Sequence, residues 1–210
     1  MPMTERRIIE FDLTKGYALI DDERTDPFDI IDAIQGESDL LLMHDLDSLN
    51  KNKQQLDVLQ DMAEEVGIWY EGGLRYADSL IDPLVSGAQK VVVGNAYFRD
   101  EEYEKAIRMT DSVVIDIDAD YPDRVTGYTR SKWDNLVLRR LVGTGYGTAI
   151  ASPTAAQDVM GSLKGLNLEL WIRTDEVADG FDRITAEMKA AGLAVAGRIA
   201  SVKELLENND

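Results

Sequence analysis

The chain has no cysteine and a single histidine. Disulfides, thiolate nucleophiles and Cys-based metal sites are therefore excluded. His44 has no second ligand at metal-site spacing, so an interior or rim hydrogen bond is its expected role. Basic residues are also scarce: 22 stand against 40 acidic ones, a net charge of −18. Such a field repels nucleic acid and anionic membranes, and neither is expected as a partner. No apolar run approaches the roughly 18 residues that cross a bilayer. The opening segment, MPMTERRIIEFDL, lacks the long apolar region of a secretory signal, so a cytoplasmic location is expected. No Pro/Gly/Ser-rich linker interrupts the chain, and residues 1–210 read as one domain. A phosphate ligand stays open, because backbone N–H groups can make a locally positive site in an acidic protein. One segment runs against the charge: 124–140 carries Arg124, Arg130, Lys132, Arg139 and Arg140 against Asp134 alone. It is either a solvated helix face or a substrate clamp.

What the chain does have is alternation. Short β-branched runs are followed by helical patterns eight times. The runs are RIIEFDL, DLLLMHDLD, IWYE, KVVVGNA, SVVIDID, GTAIAS, LELWIRT and LAVAGRI. Asp26 can cap the first helix, with Pro27 at its first position. The second helix places Leu56, Leu59, Met62 and Val66 on one face and ends at Gly67. Pro83 should kink or shorten the third. Near-continuous apolar strands are those of a buried parallel sheet. Eight units of about 26 residues fit a compact (β/α)8 barrel, with a doubly wound open sheet as the competing fold.

Barrel chemistry sits at the C-terminal ends of the strands. There the sequence offers Asp12, then His44, Asp45 and Asp47, then Glu71, Gly72 and Gly73 followed by Arg75. Beyond these come Gly94 and Asn95, Asp116 and Asp118, Ser152, Arg173 with Thr174 and Asp175, and Gly197 with Arg198. Asp12 and Asp118 fall on the first and fifth strands, which face each other across an eight-stranded barrel. Opposed carboxylates suit acid–base work, one donating a proton as the other accepts one. Gly72, Gly73, Gly94 and Asn95 fall on neighbouring strands and could cradle one phosphate, or serve only as tight turns. Glu71 would be unfavourable at a phosphate mouth unless it points away. Asp45, Asp47, Arg75, Ser152, Arg173, Thr174, Gly197 and Arg198 are further candidates for substrate contact. Asp12, Asp45 and Asp47 could in principle hold Mg²⁺, but no metal and no cofactor are expected.

These residues resemble the histidine-biosynthesis barrel family, which includes a ribotide isomerase and the cyclase subunit of imidazole glycerol phosphate synthase. The resemblance is carried by EFDLTKG, HDLDSLNKN, YEGGLRYADSLIDPLVSGAQKVVVGNAYFRDEE and VVIDIDADYPDRV. It covers the first 125 residues. It implies a (β/α)8 barrel, catalytic aspartates at Asp12 and Asp118, and a phosphate site at Gly72, Gly73, Gly94 and Asn95. The isomerase performs an Amadori rearrangement; the cyclase closes an imidazole ring with ammonia from a glutaminase partner. Relatives outside histidine synthesis are associated with one-carbon cofactor (methanopterin-type) pathways.

The second half departs from the pattern. The family barrel has two similar halves: Asp12 recurs as Asp118 and Gly94 as Gly197, but the glycine pair does not recur. Ile172, Arg173, Thr174 and Asp175 stand there instead. Arg173 could grip an anion, or pair with Asp175 or Glu169 and bind nothing. The loop after the first strand, DDERTD, is short. The expectation is a divergent member acting on a small phosphorylated, sugar- or nucleotide-like metabolite. The ribotide isomerase itself and a non-catalytic or regulatory barrel are the alternatives.

Overall fold

The computed structural model describes residues 6–94, 97–118, 135–174 and 178–207. Its centre is a closed parallel barrel of eight strands: β1 (Arg7–Thr14), β4 (Leu40–Asp45), β5 (Gly67–Glu71), β6 (Lys90–Gly94), β7 (Val113–Asp116), β8 (Thr148–Ala151), β9 (Glu169–Arg173) and β10 (Ala194–Ser201). Pairing of β10 with β1 closes the ring, so no parallel edge is left open. Carried once round the barrel, the pairing registers return to β6 about eight residues from their start, the stagger expected of this architecture. The open-sheet alternative is excluded by this closure.

The outer shell follows the sequence pattern with local changes. Helix α1 (Pro27–Ala33) is capped by Asp26, which accepts from Phe28 N–H at 3.0 Å, with Pro27 at the first helical position. A short helix α2 (Leu46–Lys51), unforeseen from periodicity, precedes α3 (Leu56–Ala63). Leu59 and Met62 of α3 are buried, and Leu56 and Val66 pack at the margin. The sequence reading places Pro83 late in its helix; in the structure it stands near the start of a short one. A 3-10 turn (Ala77–Leu80) leads into α4 (Ile81–Val85), where Pro83 occupies the first turn and removes no helical bond. The remaining helices are α5 (Asp100–Met109), α6 (Asn135–Thr144), α7 (Pro153–Leu163), α8 (Ala178–Ala190) and α9 (Val202–Glu207). No described helix is long and apolar enough to cross a membrane.

Two boundaries differ from the sequence reading. The segment after the first strand is not a bare loop. It forms a hairpin, β2 (Tyr17–Ile20) and β3 (Glu23–Thr25), that extends β1 antiparallel. Its turn residues Asp21 and Asp22 both have positive φ, the geometry of a tight hairpin turn. The last strand runs on to Ser201, because LAVAGRIAS continues without a break into the apolar start of α9. Gly197 and Arg198 are therefore not at the strand end. They lie beside Arg6 and Arg7 at the opposite face of the barrel, and the matching of Gly94 to Gly197 is corrected accordingly. A Cβ on Gly197 would overlap the Arg6 carbonyl oxygen, so this glycine serves a close backbone approach.

The bore is packed in layers. Ile8, Leu42, Trp69, Val92, Val114, Ile150, Trp171 and Ile199, one from each barrel strand, form an apolar plug. Trp69 and Trp171 meet edge to face with centroids 5.5 Å apart. Arg6 and Lys90 cover the two indoles. The larger core lies between the outer faces of the strands and the helices.

The glycine pair after β5 is tightly packed. Gly73 has φ +59°, and a Cβ there would come within 2.9 Å of Leu49 Cδ2. Gly72 leaves room for the Tyr70 ring. Gly161, inside α7, has open space around it. Gly73→Ala is expected to lose more than about 1 kcal/mol of stability. Gly161→Ala should gain about 0.5–1 kcal/mol. Chemical denaturation measures both, and equal effects would contradict this packing.

Candidate active site

Side chains of a strand alternate between faces, so the next inward layer lies two residues beyond the apolar plug. Those positions are Glu10, His44, Glu71, Gly94, Asp116, Ser152, Arg173 and Ser201. The bore thus changes from wholly apolar to charged within one step toward the strand ends. One further step brings Asp12 on β1 and Asp118 just past β7.

Arg173 is the centre of the charged layer. Its Nε donates to Glu10 Oε2 at 3.0 Å. Its Nη1 donates to Asp116 Oδ2 and Asp118 Oδ2, each at 3.2 Å. Its Nη2 lies 3.9 Å from Glu71 Oε2. His44 links the other side: Nε2 is 3.1 Å from Glu10 Oε2, and Nδ1 is 2.9 Å from Glu71 Oε2. The interior hydrogen bond expected for His44 is present twice. Arg173 pairs with neither Glu169 nor a distant anion; its donors go to carboxylates inside the barrel.

The protonation states follow from this geometry. Burial alone would lower the His44 pKa, but bonds to Glu10 and Glu71 hold it up at about 10, so the ring is an imidazolium at neutral pH. Burial would raise Glu10, yet His44 and Arg173 outweigh it and hold the carboxyl at about 2. Glu71 is likewise lowered against its burial, chiefly by the His44 bond. Asp116 goes the other way. Complete burial, with Glu71 and Asp118 nearby, overrides Arg173 and lifts it to about 7. Arg173 is raised further by its four carboxylates despite its own burial.

Asp12 and Asp118 differ in setting. Asp12 stands exposed at the mouth, on a strand that runs two residues further, to Thr14. Its carboxylate accepts no hydrogen bond from a described residue. Its pKa is raised by partial burial and by the charges of Glu10 and Glu71, with His44 opposing. Asp118 is held on two sides. Oδ1 accepts from Ser152 N–H at 2.7 Å and Oδ2 from Arg173. Asp116 Oδ1 in turn accepts from Asp118 N–H at 2.8 Å. β1 and β7 are first and fifth in the ring, so the two aspartates rise from opposite walls.

The other candidates separate by face. Asp45 points outward and is buried. It accepts from Ser48 N–H, from Gln55 N–H and Nε2, and from the Tyr70 hydroxyl. Asp47 binds Lys15 N–H at 2.7 Å, Thr14 and Lys51, tying the β1–β2 turn to α2. Neither shares a site with Asp12, and no cluster of three His, Asp or Glu residues suited to a metal occurs among the described residues. Ser152 caps α7 through Ala155 N–H. Thr174 is buried, its N–H on the Ile199 carbonyl. Arg198 pairs with Glu204 at 2.8 Å beneath α9. Arg139 donates to Ser162 and Lys164 carbonyls, and Arg140 pairs with Glu104, so this part of the basic segment sits on the outer helices. Arg124, Arg130, Lys132, Asp175 and Asn95 lie outside the described residues.

Around the glycine pair, the Gly72 carbonyl accepts from Ser48 Oγ at 2.6 Å. Arg75 folds back onto the Gly73 carbonyl at 2.8 Å, Asn52 and the Leu49 carbonyl, with its guanidinium over the Tyr97 ring. The Gly94 carbonyl accepts from Tyr97 and Phe98 N–H, turning the chain after β6. Glu71 points into the bore toward His44, not out beside the glycines. Glu10 lies four residues before the end of β1, where counting from strand ends does not reach it. The signal was its place two residues past Ile8, as Asp116 lies two past Val114.

A pH dependence follows. The His44 contribution to stability is complete below its ordinary pKa of 6.5 and is lost as pH rises to about 10. Asp116, raised from 3.8 to about 7, also makes stability fall as pH rises through that interval. Glu10, lowered from 4.5 to about 2, acts oppositely and only in acid. The thermal midpoint should therefore decline from pH 6 to pH 10. His44→Gln should be less stable at pH 6 and show a flatter decline; an unchanged slope would contradict the imidazolium assignment.

A family model described as "Histidine biosynthesis protein" matches residues 16–191. The match extends well beyond the first 125 residues on which the motif resemblance rests. A search of curated proteins finds no match. With most of the sequence matched and the eight-stranded barrel closed, the chain belongs to the histidine biosynthesis protein family.

Proposed function

We propose that this protein is an acid–base enzyme of isomerase or cyclase type acting on a small phosphorylated, sugar- or nucleotide-like metabolite. The observation that carries the reading is the pair Asp12 and Asp118, on opposite walls one step above a floor of fixed charge. Asp12 accepts no hydrogen bond from a described residue and has a raised pKa, which suits a proton donor. Asp118 is oriented by Ser152 N–H and Arg173, which suits an acceptor whose lone pairs must face a reacting carbon. In an aldose-to-ketose shift, Asp12 would protonate the ring oxygen as the ring opens. Asp118 would take the proton from the adjacent carbon, and return of a proton to C1 of the resulting enediol or enaminol would complete the ketose. Asp12 precedes the family match, so its role rests on position in the barrel.

The phosphate is assigned to the loops after β5 and β6, with Gly72, Gly73, Gly94 and Asn95. A single phosphate favours a substrate other than the bis-phosphorylated histidine intermediate, because Arg173 stands where a second glycine pair was expected and spends its donors on carboxylates. The apolar plug closes the bore beneath the charged layer, which favours entry from the mouth.

Deuterium incorporation from D₂O at C2 of a panel of phosphorylated aldoses and aminoaldoses tests this. At least one should exchange, and Asp12→Asn and Asp118→Asn should each slow it by about 10²–10⁴ while remaining folded. No exchange with any member, or exchange indifferent to both aspartates, would favour a non-catalytic barrel. A well-expressed copy should also fail to rescue a histidine auxotroph lacking the ribotide isomerase; rescue would establish that isomerase activity instead.

A further inference from the structure

The charged layer is unbalanced. Among the described residues, Glu10, Glu71, Asp116, Asp118 and Asp12 face only Arg173 and His44. Both cations are already engaged, His44 by two carboxylates and Arg173 by four. A second anion brought to this region would meet carboxylates, with no uncommitted cation among the described residues of this layer to receive it. One atom marks where a positive group would fit. Glu71 is 2% exposed and belongs to the inward layer, and its Oε2 binds His44. Its Oε1 is buried with no hydrogen-bond donor. A buried carboxylate oxygen without a donor is costly, and a ligand N–H would remove that cost. Asp12 lies on β1, two strands from Glu71 and in register with it across His44 of β4.

We propose that the substrate carries a protonated amine at the end away from its phosphate, received by Glu71. Glu71 directly precedes Gly72, so an amine and a phosphate separated by a few bonds could reach both places. The assignment rests on the phosphate reading given above. It names a zwitterionic aminoalkyl phosphate, where a two-phosphate molecule would meet the carboxylate side of the layer. It also gives the acidic layer a selective purpose: neutral and dianionic competitors leave Glu71 Oε1 unserved or repelled.

The test is calorimetric titration at pH 7 and low salt with three probes: inorganic phosphate, 2-hydroxyethyl phosphate and 2-aminoethyl phosphate. The amino probe should bind at least about ten-fold more tightly than its hydroxyl counterpart. Glu71→Gln should abolish that advantage while leaving the hydroxyl probe unaffected. Equal binding of the two organic probes by the unmodified protein would overturn the amine assignment alone and mean that solvent serves Glu71. An advantage that persists in Glu71→Gln would overturn it too. Failure of all three probes to bind would overturn the phosphate reading along with it.

Discussion

One guanidinium holds the functional end of this barrel together. Arg173 reaches from β9 to Glu10 on β1 and to Asp116 and Asp118 at β7, with Glu71 on β5 just beyond. Without it, like charges would be left facing each other in a buried bore, where removing one partner of an ion pair typically costs about 3–5 kcal/mol. His44 performs the same task between Glu10 and Glu71. The two cations permit a carboxylate layer directly on top of an apolar plug. The same arrangement orients Asp118, while no described residue hydrogen-bonds Asp12. Stability and the proposed chemistry therefore draw on one set of charges.

Much of this was legible in the sequence, and the failures have a common cause. Eight alternating units gave the barrel, and the opposed placement of Asp12 and Asp118 survives in the structure. Attention to strand ends alone was the weakness. The inward layer is set by period two counted from the plug, so Glu10 belongs to it although it lies well before the end of β1. By the same period Asp45, beside His44, turns outward and holds Gln55 and Tyr70. Gly197 was misplaced because an apolar strand ran unmarked into an apolar helix start. The hairpin after β1 was missed because its two strands are short and partly exposed, and its turn is Asp-Asp without glycine. The destination of Arg173 was beyond sequence reasoning altogether. Its partners lie 55, 57 and 163 positions away, and only closure of the barrel brings them together.

The glycine pair after β5 acquires two roles. Gly72 and Gly73 let Tyr70 and α2 pack closely beneath the loop, a structural duty that would hold whether or not a phosphate binds there. Arg75 is spent on bracing the same turn. Arginine at 173, where a second glycine pair would complete the symmetry of the two half-barrels, changes what the opposite side of the mouth offers. Backbone N–H groups there would welcome an anion. A guanidinium already surrounded by carboxylates does not. The fold is that of the histidine biosynthesis family; a catalytic aspartate pair, and recognition altered at one end of the substrate, belong to the proposed function.

The central claim is that the mouth offers one anion site, at β5 and β6, and that Arg173 is a strut between carboxylates. A crystal structure of the protein soaked with inorganic phosphate tests it most directly. The account predicts an ion held by the loops after Gly72 and Gly94, with Arg173 still bonded to Glu10, Asp116 and Asp118. A phosphate bound by Arg173, its guanidinium swung away from those carboxylates, would contradict it.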